Sequence, residues 1–407
     1  EAEKYLNRII SINDKQVVAY LGLTSIAAMK GNNKLTEELF LTAAQKAEGN
    51  FKSEMLVTAN LGKWYEGHNQ KQRILELGQE IVKKYPNEKG ALAFMAGAKI
   101  SNGQKGQAEK ILHKIIDNDP KDVRYRLLLA NLISDQAAKQ AEFLNLLDQV
   151  QSIRPGDSSV FARKLNYFLK YKQFDTAMDV AENAKKVFPE LVLSDLLKAD
   201  VFLAQNLYDK ALLSYQKAYQ HKPNNKVLFL IVDIMLKQNK SQEALSFLEK
   251  ELKRNKDDYK ILYKIAVINQ LEGRLDLAVE YYNKLLNIQP NYVWALNNLA
   301  WIYFQADDPR ALSLAERAYK QAPKSVLVAD TFGMILVKQG EPKKGLSILK
   351  QVAENSKLSD IQFHLAQAYL ANNDKIKAKE ILDTLIKSEK NPLKKDEFKT
   401  FLNKIKG

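Results

Sequence analysis

The chain contains no cysteine, which removes several kinds of chemistry from consideration. A disulfide, a zinc site built on thiolates and a cysteine nucleophile all need a thiol. The motifs of a phosphate-binding loop, a dinucleotide fold, a zinc protease and a serine hydrolase are also missing. No pair of carboxylates stands isolated in an apolar stretch, as acid–base catalysis would require. The sequence therefore predicts a protein that is not an enzyme and has no cofactor or metal site.

The sequence also lacks an apolar run of membrane-spanning length, and few of its 62 basic residues are arginines. Its net charge is +14, carried mostly by lysine. The forked guanidinium of arginine suits phosphate recognition better than lysine does, which argues against nucleic acid as the partner. We interpret the lysines as solvated outer faces of helices. Attraction to an anionic polymer or a membrane surface is the alternative.

Seven prolines recur at a nearly fixed interval along the 407 residues. The steps between them are 34, 35, 34, 34, 67 and 33 residues, and 67 equals two periods with one proline missing. An interval near 34 is the length of a helix–turn–helix unit, and such units stack into a solenoid with a long surface and no interior pocket. The seven are Pro86, Pro120, Pro155, Pro189, Pro223, Pro290 and Pro323.

Two further positions keep this period. A small residue, mostly alanine, stands where a proline lies or would lie twelve residues later, and it predicts close contact between two helices. Five residues before that position stands glycine or asparagine, which accept the left-handed backbone at a helix C-terminus. The small residues include Ala108, Ala177, Ala211, Ala244, Ala278, Ala311, Gly345 and Ala378, and the turn residues are Gly103, Asn206, Asn239, Gly273, Gly340 and Asn373.

Each unit therefore reads as helix A, a tight turn, helix B and a stop near proline. In the less regular stretches we expect Gly67 to mark a turn, and residues 134–140 to turn without glycine or asparagine. The four histidines fall in different units, so we expect no two of them to share a metal ion.

Helix A carries a large residue, leucine, alanine and tyrosine at helical spacing, as in Leu296, Leu299, Ala300 and Tyr303. Together with the alanine–aromatic pattern of helix B and the proline, this resembles the tetratricopeptide repeat (TPR). The pentatricopeptide repeat, which reads RNA, is the rival, but its usual period is 35 and it does not share this frame.

The TPR resemblance implies an all-α fold, a right-handed α-solenoid of about eleven units over residues 15–391. Residues 1–14 would form a partial repeat with helix B only, so we expect the chain to be a piece of a longer protein. Residues 392–407 would form a C-terminal capping helix, with Phe398 and Leu402 on its inner side and lysines outside.

In a TPR stack the residues of helix A that face away from helix B line the concave groove, where protein or peptide segments bind. Exposed apolar clusters mark binding surfaces, and tryptophan is frequent among binding hot spots. The alternative is that the tryptophans pack into neighbouring units. The predicted groove residues are Trp294, Asn297, Trp301, Phe304, Gln305, Tyr263, Asp330 and Met334.

A narrower resemblance covers about residues 290–387. The runs Asn297–Trp301, Asp308–Leu312, Ala315–Tyr319 and Asp330–Gly340 resemble the C-terminal repeats of the large TPR lipoproteins of bacterial PEP-CTERM protein-sorting and exopolysaccharide systems. This implies a periplasmic, lipid-anchored parent, with a membrane contact only through an anchor outside this sequence. A cytoplasmic location is the alternative. We expect a non-catalytic scaffold for protein–protein interaction, and the second hypothesis is a binder of anionic exopolysaccharide or nucleic acid.

Overall fold

A computed structural model describes residues 1–189, 192–354 and 356–406, and within these ranges the chain is helical throughout, without a strand. One short 3₁₀ helix (Ala137–Lys139) interrupts the α-helices. This confirms the all-α solenoid. The α-helices are α1 (Ala2–Ile12), α2 (Val17–Met29), α3 (Asn33–Ala47), α4 (Phe51–Gly67), α5 (Lys71–Lys84), α6 (Lys89–Ser101), α7 (Lys105–Asn118), α8 (Val123–Ile133), α9 (Gln140–Ile153), α10 (Ser159–Lys170), α11 (Phe174–Val187), α12 (Leu193–Ala204), α13 (Tyr208–His221), α14 (Asn225–Lys237), α15 (Ser241–Arg254), α16 (Tyr259–Leu271), α17 (Leu275–Ile288), α18 (Val293–Gln305), α19 (Arg310–Gln321), α20 (Val326–Lys338), α21 (Pro342–Glu354), α22 (Ser359–Ala371), α23 (Lys375–Ser388) and α24 (Pro392–Lys406).

The chain divides into two compact units, residues 1–214 and residues 215 onward, with the boundary inside α13. Within each unit the helices pair in chain order, and each helix packs mainly against the helices that precede and follow it. The even-numbered helices from α2 to α22 are the A helices, and the odd-numbered helices from α3 to α23 are their B partners. None of the helices in the described ranges has the length and hydropathy needed to cross a membrane.

The prolines end the B helices as the sequence predicts. Each of the seven lies two residues after the last residue of a B helix, for example Pro86 after Lys84 and Pro290 after Ile288. The intervening residue has left the helical region, with φ from −139° to −127° and ψ from 62° to 80° in six of these helices. This agrees with the steric exclusion of the helical conformation immediately before proline.

The tight turns between A and B helices are left-handed where the sequence predicts them. All six predicted glycines and asparagines have positive φ, from 58° at Asn239 to 90° at Gly340. The expectation for Gly67 is wrong, because Gly67 is the last residue of α4 and Asn69 takes the left-handed conformation with φ 56°. Lys172 and Asp307 also have positive φ, which the sequence did not suggest. Residues 134–140 do turn without glycine or asparagine, through the short 3₁₀ helix.

Neighbouring repeats within a unit are joined by ion pairs one period apart. Examples are Lys89 with Asp119 at 2.6 Å and Lys264 with Asp233 at 2.5 Å. The partners in such pairs are separated by 30 to 36 residues. Exposed ion pairs contribute little singly, but their spacing ties many lysines to the next repeat. Further pairs of this kind are Lys46–Asp14, Arg73–Glu37, Lys84–Glu54, Lys139–Glu109, Lys338–Asp307 and Lys394–Asp360.

The first and last helices differ in burial. Helix α1 has no buried residue, and Tyr5 and Ile12 are exposed on it. Helix α24 instead buries Phe398 and Leu402 in a cluster with residues of α22 and α23. The inner side of α24 is therefore apolar, as the sequence predicts for a capping helix.

The small-residue position brings the A and B helices of a repeat into close contact. The alanines there are completely buried, and at Gly345 the backbone contact is closer still. A Cβ atom added to Gly345 would lie 2.6 Å from the carbonyl oxygen of Gly333 and 2.6 Å from Cγ2 of Val337. Two glycines facing each other therefore allow α20 and α21 to approach more closely than an alanine would permit.

We predict that Gly345→Ala lowers the free energy of unfolding by about 1–3 kcal/mol, because the added methyl group collides with the backbone of Gly333 as well as with the Val337 side chain. Gly97→Ala is the matched control. Gly97 lies exposed in α6 with nothing near its Cβ position, so the alanine should stabilise that helix by about 0.5–1 kcal/mol. Urea unfolding measures both changes. Equal stability of the two variants would contradict this account of the contact.

Candidate partner-binding site

The predicted groove residues lie on three consecutive A helices of the second unit. Tyr263 is on α16, Asp330 and Met334 are on α20, and the other five are on α18. We call the shared surface of α16, α18, α20 and α22 the A-helix face. Each of these helices lies one repeat after the previous one, so equivalent positions recur along this face at the repeat spacing.

The structure divides the predicted residues by exposure. Trp294 is 41% exposed and Gln305 is exposed, while Tyr263, Trp301 and Phe304 are half-buried. Asn297, Asp330 and Met334 are buried, and Met334 belongs to an apolar cluster that Trp301 and Phe304 pack against. The eight residues therefore do not form one exposed surface, and the three buried ones support those that a partner can reach.

Aromatic rings link α18 to α22 across the repeat between them. The Trp301 ring lies 5.2 Å from the Phe304 ring and 5.8 Å from the imidazole of His364 on α22. The ammonium of Lys338 lies 5.0 Å from the centre of the Phe304 ring and is paired with Asp307. This part of the face therefore combines two aromatic rings with an imidazole and one lysine already paired with a carboxylate.

Two buried acceptors on this face lack a donor. The Nδ1 of His364 lies 2.8 Å from Oδ2 of Asp330, where the Nδ1–H tautomer would donate a hydrogen bond. The other carboxylate oxygen, Oδ1, is buried without a hydrogen-bond partner, and so is Oδ1 of Asn297. An unpaired buried acceptor commonly costs about 1–3 kcal/mol, so these two atoms weaken the fold locally.

Beside these residues a tyrosine is held firmly by amides. The hydroxyl of Tyr282 donates to Oε1 of Gln270 at 2.7 Å and accepts from Nδ2 of Asn298 at 2.9 Å. Burial raises the pKa of Tyr282 well above its usual range, so the hydroxyl stays protonated. Tyr263, in ring contact with Tyr282 at 6.1 Å, has its pKa raised by burial as well. The tyrosine hydroxyls at this part of the face are thus neutral.

Comparison with known proteins agrees with the repeat geometry. Family models of the tetratricopeptide repeat match residues 72–132, 258–324 and 336–395. Each matched segment contains helix pairs of the kind described above. These three segments are tetratricopeptide repeats. TPR arrays are typically non-catalytic scaffolds that use their extended surfaces to bind other proteins.

The individual relatives are distant. Human protein O-mannosyl-transferase TMTC1 is 24% identical over 216 residues, which cover 52% of this TPR chain and 24% of the relative. Bovine BBSome complex member BBS4 is 24% identical over 232 residues, which cover 56% of this chain and 44% of the relative. The chain therefore spans less than half the length of either relative. Among solved structures, the APC/C Cut9–Hcn1 hetero-tetramer aligns with a TM-score of 0.46 at 11% identity, covering 99% of this chain and 92% of that one.

Two residues of the A-helix face were missed in the sequence. Leu327 is 52% exposed and occupies in α20 the position of Trp294 in α18. His364 pairs with Asp330 from the next repeat. Leu327 lies 33 residues after Trp294 and His364 lies 34 residues after Asp330, so a search at the repeat spacing could have indicated both.

A cluster of titratable groups also forms in the first unit, between adjacent repeats. His113 Nε2 lies 2.9 Å from a carboxylate oxygen of Glu142, and Glu109 completes a group of three potential metal ligands. The sequence expectation considered only pairs of histidines, and so it overlooked carboxylates one period apart. The ammonium of Lys139 is already paired with Glu109. The cluster thus contains its own cation, and its clearest role is to join two repeats.

We predict that Tyr282→Phe lowers the free energy of unfolding by about 1–2 kcal/mol, because Gln270 and Asn298 each lose a buried partner. Tyr5→Phe is the control, since the Tyr5 side chain is exposed on α1 and its hydroxyl reaches water. Thermal unfolding of both variants measures the effect. A stability of Tyr282→Phe equal to that of the control would show that this hydrogen-bond network contributes nothing.

Proposed function

We propose that this TPR protein is a non-catalytic scaffold that captures a partner protein on the A-helix face of its second unit. The observation that carries the proposal is the exposure of Trp294 and Leu327 at equivalent positions of adjacent repeats, beside half-buried Trp301 and Phe304. The exposure of large apolar side chains to water is unfavourable, so an exposed row of them marks a binding surface. Tryptophan is especially frequent at the centre of such surfaces.

The expected ligand is an extended or helical segment of the partner. A face built from parallel rows of A-helix side chains offers one contact position per repeat, which suits a segment that runs along several repeats. The transferase activity in the name of TMTC1 belongs to a protein of which the match covers 24%.

The cellular setting we propose is the bacterial envelope. Residues 290–387 resemble the repeats of TPR lipoproteins from protein-sorting and exopolysaccharide systems, and this resemblance supports a periplasmic protein with a lipid-anchored parent. Cell fractionation tests it. The full-length protein should sediment with the envelope and be released by detergent, whereas recovery in the cytosol would contradict this setting.

An anionic polymer such as exopolysaccharide is the second candidate, favoured by the net charge of +14. Several lysines are, however, already paired with carboxylates of the next repeat. The two candidates differ in their salt dependence, since a polyanion is held by counterion release and loses affinity steeply as salt increases. Binding to the partner through apolar contacts should persist at high salt.

We predict that the double variant Trp294→Ala with Leu327→Ala loses at least about tenfold in affinity for the captured partner, because it removes two exposed apolar contacts. The partner is first isolated from an envelope extract on the wild-type protein and then titrated against each variant by calorimetry. Leu277→Ala is the matched control, since Leu277 is 43% exposed on the B helix α17. Unchanged affinity in the double variant, with correct folding, would refute the A-helix face as the binding surface.

A further inference from the structure

We infer that the A-helix face recognises a lysine side chain of the partner segment, with the ammonium held between the Trp301 ring and the Asp330 carboxylate. This inference rests on the proposed function, because it specifies the chemistry of the segment that the scaffold captures. It depends on the two buried acceptors, on the Trp301 ring that contacts His364, the partner of Asp330, and on the exposed apolar residues of the same helices.

The two buried hydrogen-bond acceptors indicate that the ligand is a hydrogen-bond donor. Asp330 is 7% exposed and Asn297 is 8% exposed, yet each has an Oδ1 atom without a hydrogen-bond partner. They occupy equivalent positions of the adjacent A helices α18 and α20. Buried acceptors in folded proteins are almost always paired, so two unpaired ones at equivalent positions indicate a site completed by a donor from outside.

The charge of the donor follows from Asp330 and its neighbours. The Asp330 carboxylate contacts Nδ1 of His364 through Oδ2 alone, and a cation satisfies a remaining carboxylate oxygen better than a neutral amide does. Trp301 adds an aromatic face, which attracts cations. The lysine already present nearby, Lys338, lies on the neighbouring Phe304 ring and is paired with Asp307. It therefore shows the same cation–ring contact within this face while leaving Asp330 without an ammonium.

Lysine fits this site better than arginine does. A guanidinium binds a carboxylate most strongly through two parallel hydrogen bonds, and His364 already occupies Oδ2 of Asp330. An ammonium is compact and has three donors, so it can serve single acceptors such as the Oδ1 atoms of Asp330 and Asn297. Trp294 and Leu327 provide apolar contact on the same helices. The expected motif is therefore a lysine with an apolar residue beside it.

Access to the acceptors requires a side chain to move, because both Oδ1 atoms are buried. Trp301 is half-buried and contacts His364 in ring-to-ring fashion, so a change in the Trp301 rotamer would open this part of the face. Rotamer changes of exposed side chains are fast, and Trp301 is exposed in part. Binding should therefore change the surroundings of Trp301 directly, and this makes its ring a suitable probe.

The test uses the whole chain labelled with 5-fluorotryptophan and n-butylammonium as the probe. The chain has three tryptophans, and variants with phenylalanine at each position assign the three fluorine signals. We expect n-butylammonium to shift the Trp301 signal saturably, with an apparent Kd on the order of 10 mM for so small a ligand. The Trp64 signal in the first unit should stay in place, and n-butanol and butyrate should have little effect on Trp301.

The charge requirement is tested with two variants, each of which replaces one aspartate by asparagine. Asp330→Asn should raise the apparent Kd for n-butylammonium at least about tenfold, because the negative charge is lost while the shape remains. Asp360→Asn is the matched control, since Asp360 is an exposed carboxylate on α22, paired with Lys394 at 2.5 Å. Three outcomes would each overturn the lysine assignment. They are an equal shift of the Trp301 signal with n-butanol, no shift with n-butylammonium, and undiminished binding of n-butylammonium by Asp330→Asn.

The comparison of probes also works on the wild-type protein alone, so the test holds even if Asp330→Asn fails to fold. There n-butylammonium should bind more tightly than n-butylguanidinium, and the reverse order would overturn the choice of lysine. Failure of the inference is distinct from failure of the proposed function. If the partner still depends on Trp294 and Leu327 while n-butylammonium does not bind, the scaffold function stands and the lysine assignment falls.

Discussion

A helix pair in this protein has an apolar face that only a neighbouring repeat can cover. An isolated pair of about thirty residues cannot bury enough apolar surface to offset the conformational entropy that it loses on folding. Each repeat therefore needs the next one. Within a repeat, the closest contact sets how its A and B helices fit. That contact is the small-residue position, where the alanines are fully buried and Gly345 meets the backbone of Gly333. Its regular recurrence gives each repeat a similar contact between its A and B helices.

The same constraint explains what could be predicted from the sequence. The ends of the B helices, the left-handed turns and the small-residue contact are each decided by backbone sterics within one repeat. The position of the missing proline is instructive, because Asn255 adopts φ −140° and ψ 89° although lysine follows it. Proline therefore favours this geometry but is not needed for it. Gly67 was mistaken for the turn residue because Asn69, two positions later, satisfies the same requirement.

The candidate site could be predicted only in part, and the reason is physical. Helical spacing identifies which side chains of an A helix point away from its B partner, and this found Trp294 and Trp301. Burial depends on side chains from other repeats. Trp301 contacts His364 from α22, and Asp330 is paired with that same imidazole. Such contacts join residues far apart in sequence, so the pattern of a single repeat cannot show which polar groups lose their water.

The unpaired buried acceptors of the A-helix face lower the stability of the unbound protein, and a bound donor would satisfy them. A fold selected for stability alone would place an apolar residue at Asp330, since replacing a buried charge by an apolar group is often neutral or stabilising. The surrounding structure tolerates the charge because His364 satisfies one oxygen and the apolar cluster around Met334 holds α20 in place. A repeat array suits this arrangement, because stability is summed over many neighbouring contacts and a local deficit in one repeat does not unfold the others. The free oxygen of Asp330 is then an unfavourable feature of the unbound protein, and a partner that supplies a cation removes it.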